Sequence, residues 1–307
     1  MNIIEIKNLK KSYGKVKAVD NISFCVREGQ TFAFLGSNGA GKSTTINIIC
    51  GILEKDEGDV LINGIDTQNN IFETKKQIGV VFQNSVLDKN LTVFENLRNK
   101  ALLYGMNENE FKIKLEILSS KLDFKNLFSR QIRKLSGGQN RKIDIARALI
   151  HSPKILILDE PTTGLDPQTR QKVWKFLNEL KEKENLTIFL TTHYMEEASD
   201  CDYVVILDKG KIVAENSPNE LKKKYANDFV KIYNKEKKKE ILTTLKDEGY
   251  DATSKKGYIQ IELEDTAQIR DLIVKHSTFF EDFEVVKGKM DDVFLQVTNN
   301  NLEAIDE

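Results

Sequence analysis

The sequence predicts an α/β protein: a core on a largely parallel sheet, with an antiparallel β segment and a helical insertion, followed by a small C-terminal α+β domain. Three observations predict it. Short apolar runs rich in Val, Ile and Phe recur as TFAFLG, IGVVFQ, KILILDE, LTIFLTT and DYVVILDKG, with helical patterns between several of them, the alternation that a parallel sheet requires. From about Thr92 to Leu149, TVFENLRNKALLYGM and NENEFKIKLEILSSKL space their apolar residues near 3.6 with no strand candidate between them, as a helical insertion does. At the start, IIEIKNLKKSYGKVKAVDNISFCVREGQ alternates apolar and polar residues around turn residues Tyr13 and Gly14, the pattern of antiparallel strands.

Composition narrows the class. The chain has 307 residues, 40% hydrophobic and 30% charged, and a formal net charge of -1, which supplies no basic field for nucleic acid. Its three cysteines, Cys25, Cys50 and Cys201, are scattered without CxxC spacing, so neither a disulfide framework nor a zinc site is expected and the compartment reads as reducing. The opening MNIIEIKNLKKSYG breaks its apolar residues with charges at once, so a signal peptide is not expected and the chain reads as retained in the cytoplasm. The strongest apolar runs, ILIL and VVIL, are of buried-strand length, far short of the roughly 20 residues that span a bilayer. Any membrane role must then come through a partner.

In chain order, the first chemical signal is GSNGAGKST, running Gly36, Ser37, Asn38, Gly39, Ala40, Gly41, Lys42, Ser43, Thr44. It fits the phosphate-loop pattern GxxxxGK[ST] and lies between the strand TFAFL and the helical KSTTINIICGIL. Glycines let backbone N–H groups turn toward phosphate oxygens, and the helix dipole adds partial positive charge at the same place. Lys42 is expected to reach the β- and γ-phosphates and Ser43 to ligate Mg2+. Next, SGGQ (Ser136, Gly137, Gly138, Gln139) opens the helical NRKIDIARALI. Ser136 alone reads as an ordinary N-cap, but that leaves the paired glycines unexplained, since each weakens a helix start by roughly 1 kcal/mol unless the backbone must approach something closely.

ILILDEP then sets Asp159 and Glu160 at the end of an apolar strand, where two adjacent carboxylates are costly unless used. Neighbouring strand residues point opposite ways, so Asp159 is expected on the Mg2+ water shell and Glu160 toward an attacking water. An exposed acidic strand end before a Pro161 turn is the bland alternative. His193 follows the strand LTIFLTT; it and the two phosphate-site strands should end at one edge of the sheet, where open α/β sheets bind ligands. A strand-end histidine can equally be a hydrogen-bonded structural residue.

Beyond NSPNELKKKYAN, the run NKEKKKE alternates Lys with Glu and opens an amphipathic pattern, which favours a solvated helix start over a nucleic-acid patch. From Phe229 the order reads strand FVKIY, helix KKKEILTTLKDEG, strand YIQIELE, helix TAQIRDLIVKHS, strand FEDFEVVKG, helix KMDDVFLQVT. The expected domains are 1–225, with its helical part at about 92–149, then 229–298, with a polar tail at 299–307 that is expected to fray.

Together these motifs resemble the nucleotide-binding subunit of ATP-binding cassette (ABC) transporters. The ordered series is SYG at Tyr13, the loop at Gly36 to Thr44, VVFQ ending in Gln83, LSGGQ, ILILDEP, TTGLD ending in Asp166, and TTH ending in His193. The resemblance implies a P-loop NTPase of the ABC ATPase type with an antiparallel β subdomain and an α-helical subdomain. It implies a homodimer closing head to tail around ATP and Mg2+, so that Ser136, Gly137, Gly138 and Gln139 of one copy cap the γ-phosphate held by the other. Tyr13 would stack on adenine, Gln83 would sense Mg2+ and the membrane partner, Asp166 would sit at the subunit contact, His193 would bond the γ-phosphate, and Glu160 would be the base or water-orienting carboxylate. MDDVFLQVT and the small domain before it resemble exporter subunits of the drug-resistance branch, which work on the inner face of the membrane with integral ABC-2 type permease subunits. Ser37 and Asn140 depart from frequent family residues without removing a donor the mechanism needs. The alternative is a soluble ABC-type ATPase acting on ribosomes or DNA; the single cassette, the missing coiled-coil insertion and the absent positive charge favour transport.

Overall fold

A computed structural model describes residues 1–162, 165–234, 236–263 and 266–303. Strands β1 (Asn2–Tyr13) and β2 (Val16–Arg27) form a long antiparallel hairpin. Gly14 takes φ 60° in the turn, a conformation cheapest for glycine. Along β2 the side chains of Ile22, Phe24 and Val26 are buried and their neighbours exposed, as period-2 alternation requires. Strand β3 (Thr31–Gly36) is buried at every position. It leads into α1 (Lys42–Ile49), β4 (Glu57–Ile62) and β5 (Ile65–Asp66). β4 returns antiparallel to β1, giving a first sheet in the order β2-β1-β4-β5. The sequence reading did not pick out β4 or β5, because Gly58 and Asp59 interrupt the apolar alternation of EGDVLI.

After α2 (Ile71–Gln77) and β6 (Ile78–Val81), the expected insertion is helical: α3 (Val93–Leu103), α4 (Glu108–Leu122) and α5 (Gly137–Leu149). Each begins with a reciprocal capping box: Thr92 with Glu95, Asn107 with Glu110, Ser136 with Gln139. Each box satisfies two of the N–H groups that a helix start leaves without partners. The chain then alternates β7 (Ile155–Asp159), α6 (Pro167–Glu184), β8 (Thr187–Thr192), α7 (Met195–Ser199), β9 (Tyr203–Asp208) and β10 (Lys211–Asn216). The second sheet has the order β10-β9-β3-β8-β7-β6, and its pairs β9–β3, β3–β8, β8–β7 and β7–β6 are parallel. Both faces of β3, β7 and β8 are covered, which explains their unbroken apolar runs. The two sheets share one core. Phe24 of β2 lies 5.4 Å from Phe32 and 5.3 Å from Phe34 of β3, and Phe32 lies 5.1 Å from Phe189 of β8, measured between ring centroids. Each buried Phe contributes about 1.5–3 kcal/mol relative to exposure.

Packing separates Met1–Glu215 from Asn216–Glu307. The division falls earlier than the sequence places it, because α8 (Pro218–Tyr225) lies against the last helix, α11 (Met290–Glu303). In this second unit an antiparallel sheet of order β12-β13-β11-β14 is built from β11 (Asp228–Ile232), β12 (Asp251–Ser254), β13 (Ile259–Leu263) and β14 (Phe283–Val286). Its core joins Val230, Ile232, Ile259 and Ile261 to Ile241 and Leu245 of α9 (Lys238–Asp247) and Leu272 of α10 (Thr266–Lys275). β12 is the element the sequence did not announce, since DATS buries only Ala252. The tail expected to fray is helical in its first part, α11 running to Glu303; positions 304–307 lie outside the described residues. Among the described residues no helix is long and apolar enough to cross a membrane.

Candidate functional site

Three adjacent parallel strands end at one sheet edge: β3 runs into the glycine loop, β8 into His193 and β7 into Asp159 and Glu160. The expectation that these strands share an edge therefore holds, with β8 in the middle. The loop itself is braced. Gly41 has φ 106°, and a Cβ on it would stand 2.2 Å from the Ala18 carbonyl oxygen, so only glycine fits there. Gly210 N–H donates to the Ala40 carbonyl and accepts, through its own carbonyl, from Asp20 N–H, tying the loop to β2 and to the β9–β10 turn. Ser37, Asn38, Gly39 and Ser43 are exposed, while Ala40 and Lys42 are buried.

Lys42 Nζ donates to the carbonyls of Gly36 at 2.7 Å and Ser37 at 2.9 Å, curling the ammonium into the mouth of its own loop. Burial pulls its pKa down, and the carboxylates of Glu160 and Asp159 pull it back. Unlike α3, α4 and α5, α1 has no side-chain cap, and it has no acidic residue in its first turn. Its free donors and positive dipole end therefore face the loop's opening, the environment that an anionic phosphate suits.

Glu160 does not continue the strand. β7 ends at Asp159, and Glu160 turns to φ 49°, a strained conformation for a residue with a side chain. Its N–H donates to the Thr191 carbonyl at 3.1 Å. The turn separates the two carboxylates, as the sequence reading required, although by a backbone kink and not by strand alternation. Asp159 is buried and accepts from the Thr191 hydroxyl. Glu160 Oε2 accepts from Gln83 Nε2 at 3.1 Å, and its Oε1 lies 3.2 Å from His193 Nδ1. Gln83 is thus hydrogen-bonded to Glu160, and His193 lies against its other carboxylate oxygen. His193 is 45% exposed and Glu160 12%, so the group opens to solvent on the histidine side.

Elsewhere the predicted residues stand apart. Tyr13 ends β1 and is 52% exposed. Asp166 caps α6, accepting from Thr169 N–H at 3.0 Å, and its hydrogen bonds with Thr169 hold its carboxyl below the usual range. Thr163 and Gly164, inside TTGLD, lie outside the described residues. Ser136 and Gln139 form the α5 capping box, so the bland N-cap reading of Ser136 is correct as far as it goes. It does not account for the glycines: neither takes a positive φ, a Cβ on Gly137 would meet nothing within 4 Å, and one on Gly138 would meet only the tip of Leu165 at 3.6 Å. Among the described residues nothing demands glycine at either position.

Sequence reasoning missed Arg141. On α5, with 6% exposure, its guanidinium donates to the carbonyls of Phe82, Asp159, Glu160 and Pro161. Burial lowers its pKa, opposed by Asp144, Asp159 and Glu160. The signal was present: Arg141 falls on the same 3.6-period face as Ile145 and Ala148, an unusual place for a cation. Thr191, whose hydroxyl serves Asp159 and Glu160, carried no such mark.

A family model described as ABC transporter matches residues 19–163. Nod factor export ATP-binding protein I of Cupriavidus metallidurans is 39% identical over 239 residues, covering 76% of this chain and 78% of that protein. Linearmycin resistance ATP-binding protein LnrL of Bacillus subtilis is 36% identical, covering 74% and 73%. The probable multidrug ABC transporter ATP-binding protein YbhF of Escherichia coli is 38% identical over 74% of this chain but only 39% of its own length, so the chain spans about two fifths of that relative. Among solved structures, an ATP-binding subunit of an ABC transporter superposes with a TM-score of 0.69 at 31% identity, covering 73% of this chain and 93% of its own. A dimeric post-hydrolysis state of the ATP-binding cassette MJ0796, bound to ADP and Pi, gives 0.66 at 29% identity, covering 70% and 98%.

Proposed function

The chain belongs to the ABC transporter family, and from that premise we propose that it is the ATP-hydrolysing subunit of an exporter, driving separate membrane subunits by ATP-dependent pairing of two cassettes. The observation that carries the proposal is the single edge formed by β3, β8 and β7, which assembles a phosphate loop with a buried lysine, two carboxylates and a histidine.

The residues fit the nucleotide. The uncapped α1 and the outward-turned loop at Ser37, Asn38 and Gly39 offer backbone donors to the phosphates, with Lys42 placed to leave its carbonyl partners for the β- and γ-oxygens. Ser43, Thr44, Asp159 and Gln83 offer only oxygen donors, a set that suits a hard cation such as Mg2+. Ser43, Gln83 and Asp159 would hold it. When bound, the ion neutralises charge on the β- and γ-phosphates. Glu160 supplies the carboxylate that orients the attacking water and accepts its proton. In the resting chain, Gln83 and His193 hold one carboxylate oxygen each, and His193 would exchange that contact for the γ-phosphate. Tyr13, at the exposed hairpin tip, would stack on adenine, and Asp166 would meet the second copy.

The glycines of LSGGQ support sharing of the site. Because the described residues leave open space over Gly137 and only the tip of Leu165 near Gly138, the close approach that glycine permits would come from outside the chain: the phosphates held by a second copy. Beside Gln83, a cavity of about 240 Å³ is lined by apolar Ile52, Phe82 and Val86 and cationic Lys75, Lys100 and Arg147. That surface would receive the permease subunit, of ABC-2 type, at the inner face of the membrane. The names of the relatives, which describe multidrug, Nod factor and linearmycin-resistance proteins, favour export over the ribosome or DNA reading.

Fractionation tests the assignment. Co-expression with an integral permease is expected to move the chain from the supernatant to the membrane pellet. Sedimentation with ribosomes in place of membranes would overturn the export reading.

A further inference from the structure

We propose that Arg141 is the positioning residue for Glu160, and that through it helix α5 sets the geometry of the whole Gln83–Glu160 pair. The inference rests on the role of Glu160 stated above and adds a residue that the sequence motifs do not include.

Successive carbonyls of an extended strand point to opposite sides and cannot converge on one group. Here the carbonyls of Asp159, Glu160 and Pro161 all accept from one guanidinium: Pro161 from Nε, Asp159 and Glu160 from one terminal nitrogen, each at 2.8 Å. They converge because Glu160 is left-handed, at φ 49°. The kink and the guanidinium therefore depend on each other, the backbone cradle requiring a planar donor with several N–H groups and the strained φ requiring something to hold it. Lysine, with a compact ammonium on a flexible stem, cannot reproduce that fork.

The remaining terminal nitrogen donates to the Phe82 carbonyl, the residue before Gln83. Asp144, one turn further along α5 and also buried, accepts from the Ser85 hydroxyl at 3.1 Å, and that hydroxyl also receives Leu87 N–H. Gln83 is thus bracketed on both sides by α5, and the Gln83–Glu160 hydrogen bond joins two backbone segments that a single helix holds. The same helix begins with Ser136, Gly137 and Gly138. A displacement of α5 when LSGGQ engages a second copy would move Phe82 and the Glu160 kink together, linking pairing to the placement of the water-orienting carboxylate.

The test is a double-mutant cycle in steady-state ATP hydrolysis by the full chain, on protein purified as the folded fraction. Arg141→Lys is expected to lower kcat at saturating ATP on the order of tenfold while changing KM less than about threefold. In the Glu160→Gln background the same substitution is expected to change the residual turnover less than about twofold, because a residue acting through Glu160 has nothing left to position. Equal losses in both backgrounds would mean that Arg141 serves only the fold, and would overturn the proposal. Should Arg141→Lys fail to fold, Arg141→Gln, which keeps one amide donor but not the guanidinium fork, carries the same cycle. Normal turnover by Glu160→Gln itself would instead remove the role of Glu160 on which the inference stands.

Discussion

At the scale of single residues, the site combines side chains placed for chemistry with others placed for structure, and His151 shows how plainly the second kind can be tested. Its ring stacks on Tyr104 at 3.8 Å between centroids, and Nε2 lies 3.1 Å from the Ile78 carbonyl, while Nδ1 is buried without a partner. The imidazole is therefore held neutral with its proton on Nε2. Burial, reinforced by Lys100, Lys114 and Arg147, pushes its pKa down to about 4 from 6.5. Between those values the unfolded chain binds the extra proton and the folded chain does not, so this contribution to stability is lost as pH falls through the window. Urea unfolding at pH 5 is expected to show up to about 2 kcal/mol less stability than at pH 7 from this group. His151→Phe, which keeps the stack, should flatten that difference; an unchanged difference would rule His151 out as its source. The same scale shows where sequence reading stops. Asp159, Glu160 and His193 were legible because they follow apolar strand runs, and Gln83 only through the family resemblance, whereas the left-handed turn of Glu160 lies against Arg141, 19 positions away, and no local pattern encodes it.

At the scale of elements, the parallel strands were legible because burial on both faces leaves continuous apolar runs, and the insertion because its helices keep a 3.6 period. β4, β5 and β12 were not, since a short or edge strand with one wet face carries too few apolar residues to stand out. The two glycine-bearing turns make opposite predictions. Gly41→Ala would drive a methyl group into the Ala18 carbonyl at a backbone φ of 106°, and nucleotide affinity, measured with a fluorescent ATP analogue, is expected to fall more than about tenfold. At α5 there is room, so Ser136→Arg is expected to leave nucleotide affinity within about threefold while suppressing ATP-dependent pairing and turnover. Fast hydrolysis by Ser136→Arg would count against a shared site.

At the scale of the whole molecule, the chain holds one glycine loop with a buried lysine and one capped helix start whose two glycines the described residues do not require. The uncapped α1 faces the loop, while Gly137 looks onto open space and Gly138 has only the tip of Leu165 nearby among the described residues. The simplest completion is a second copy, each chain lending its LSGGQ turn to the other's nucleotide. Hydrolysis then depends on pairing, and pairing becomes the stroke available to membrane subunits. The direct measurement is the mass in solution of Glu160→Gln, which should retain ATP, by light scattering with and without Mg-ATP. The account predicts one 35.1 kDa chain without nucleotide and a doubled mass with it. A variant that binds Mg-ATP to saturation and keeps the single-chain mass would contradict the shared site.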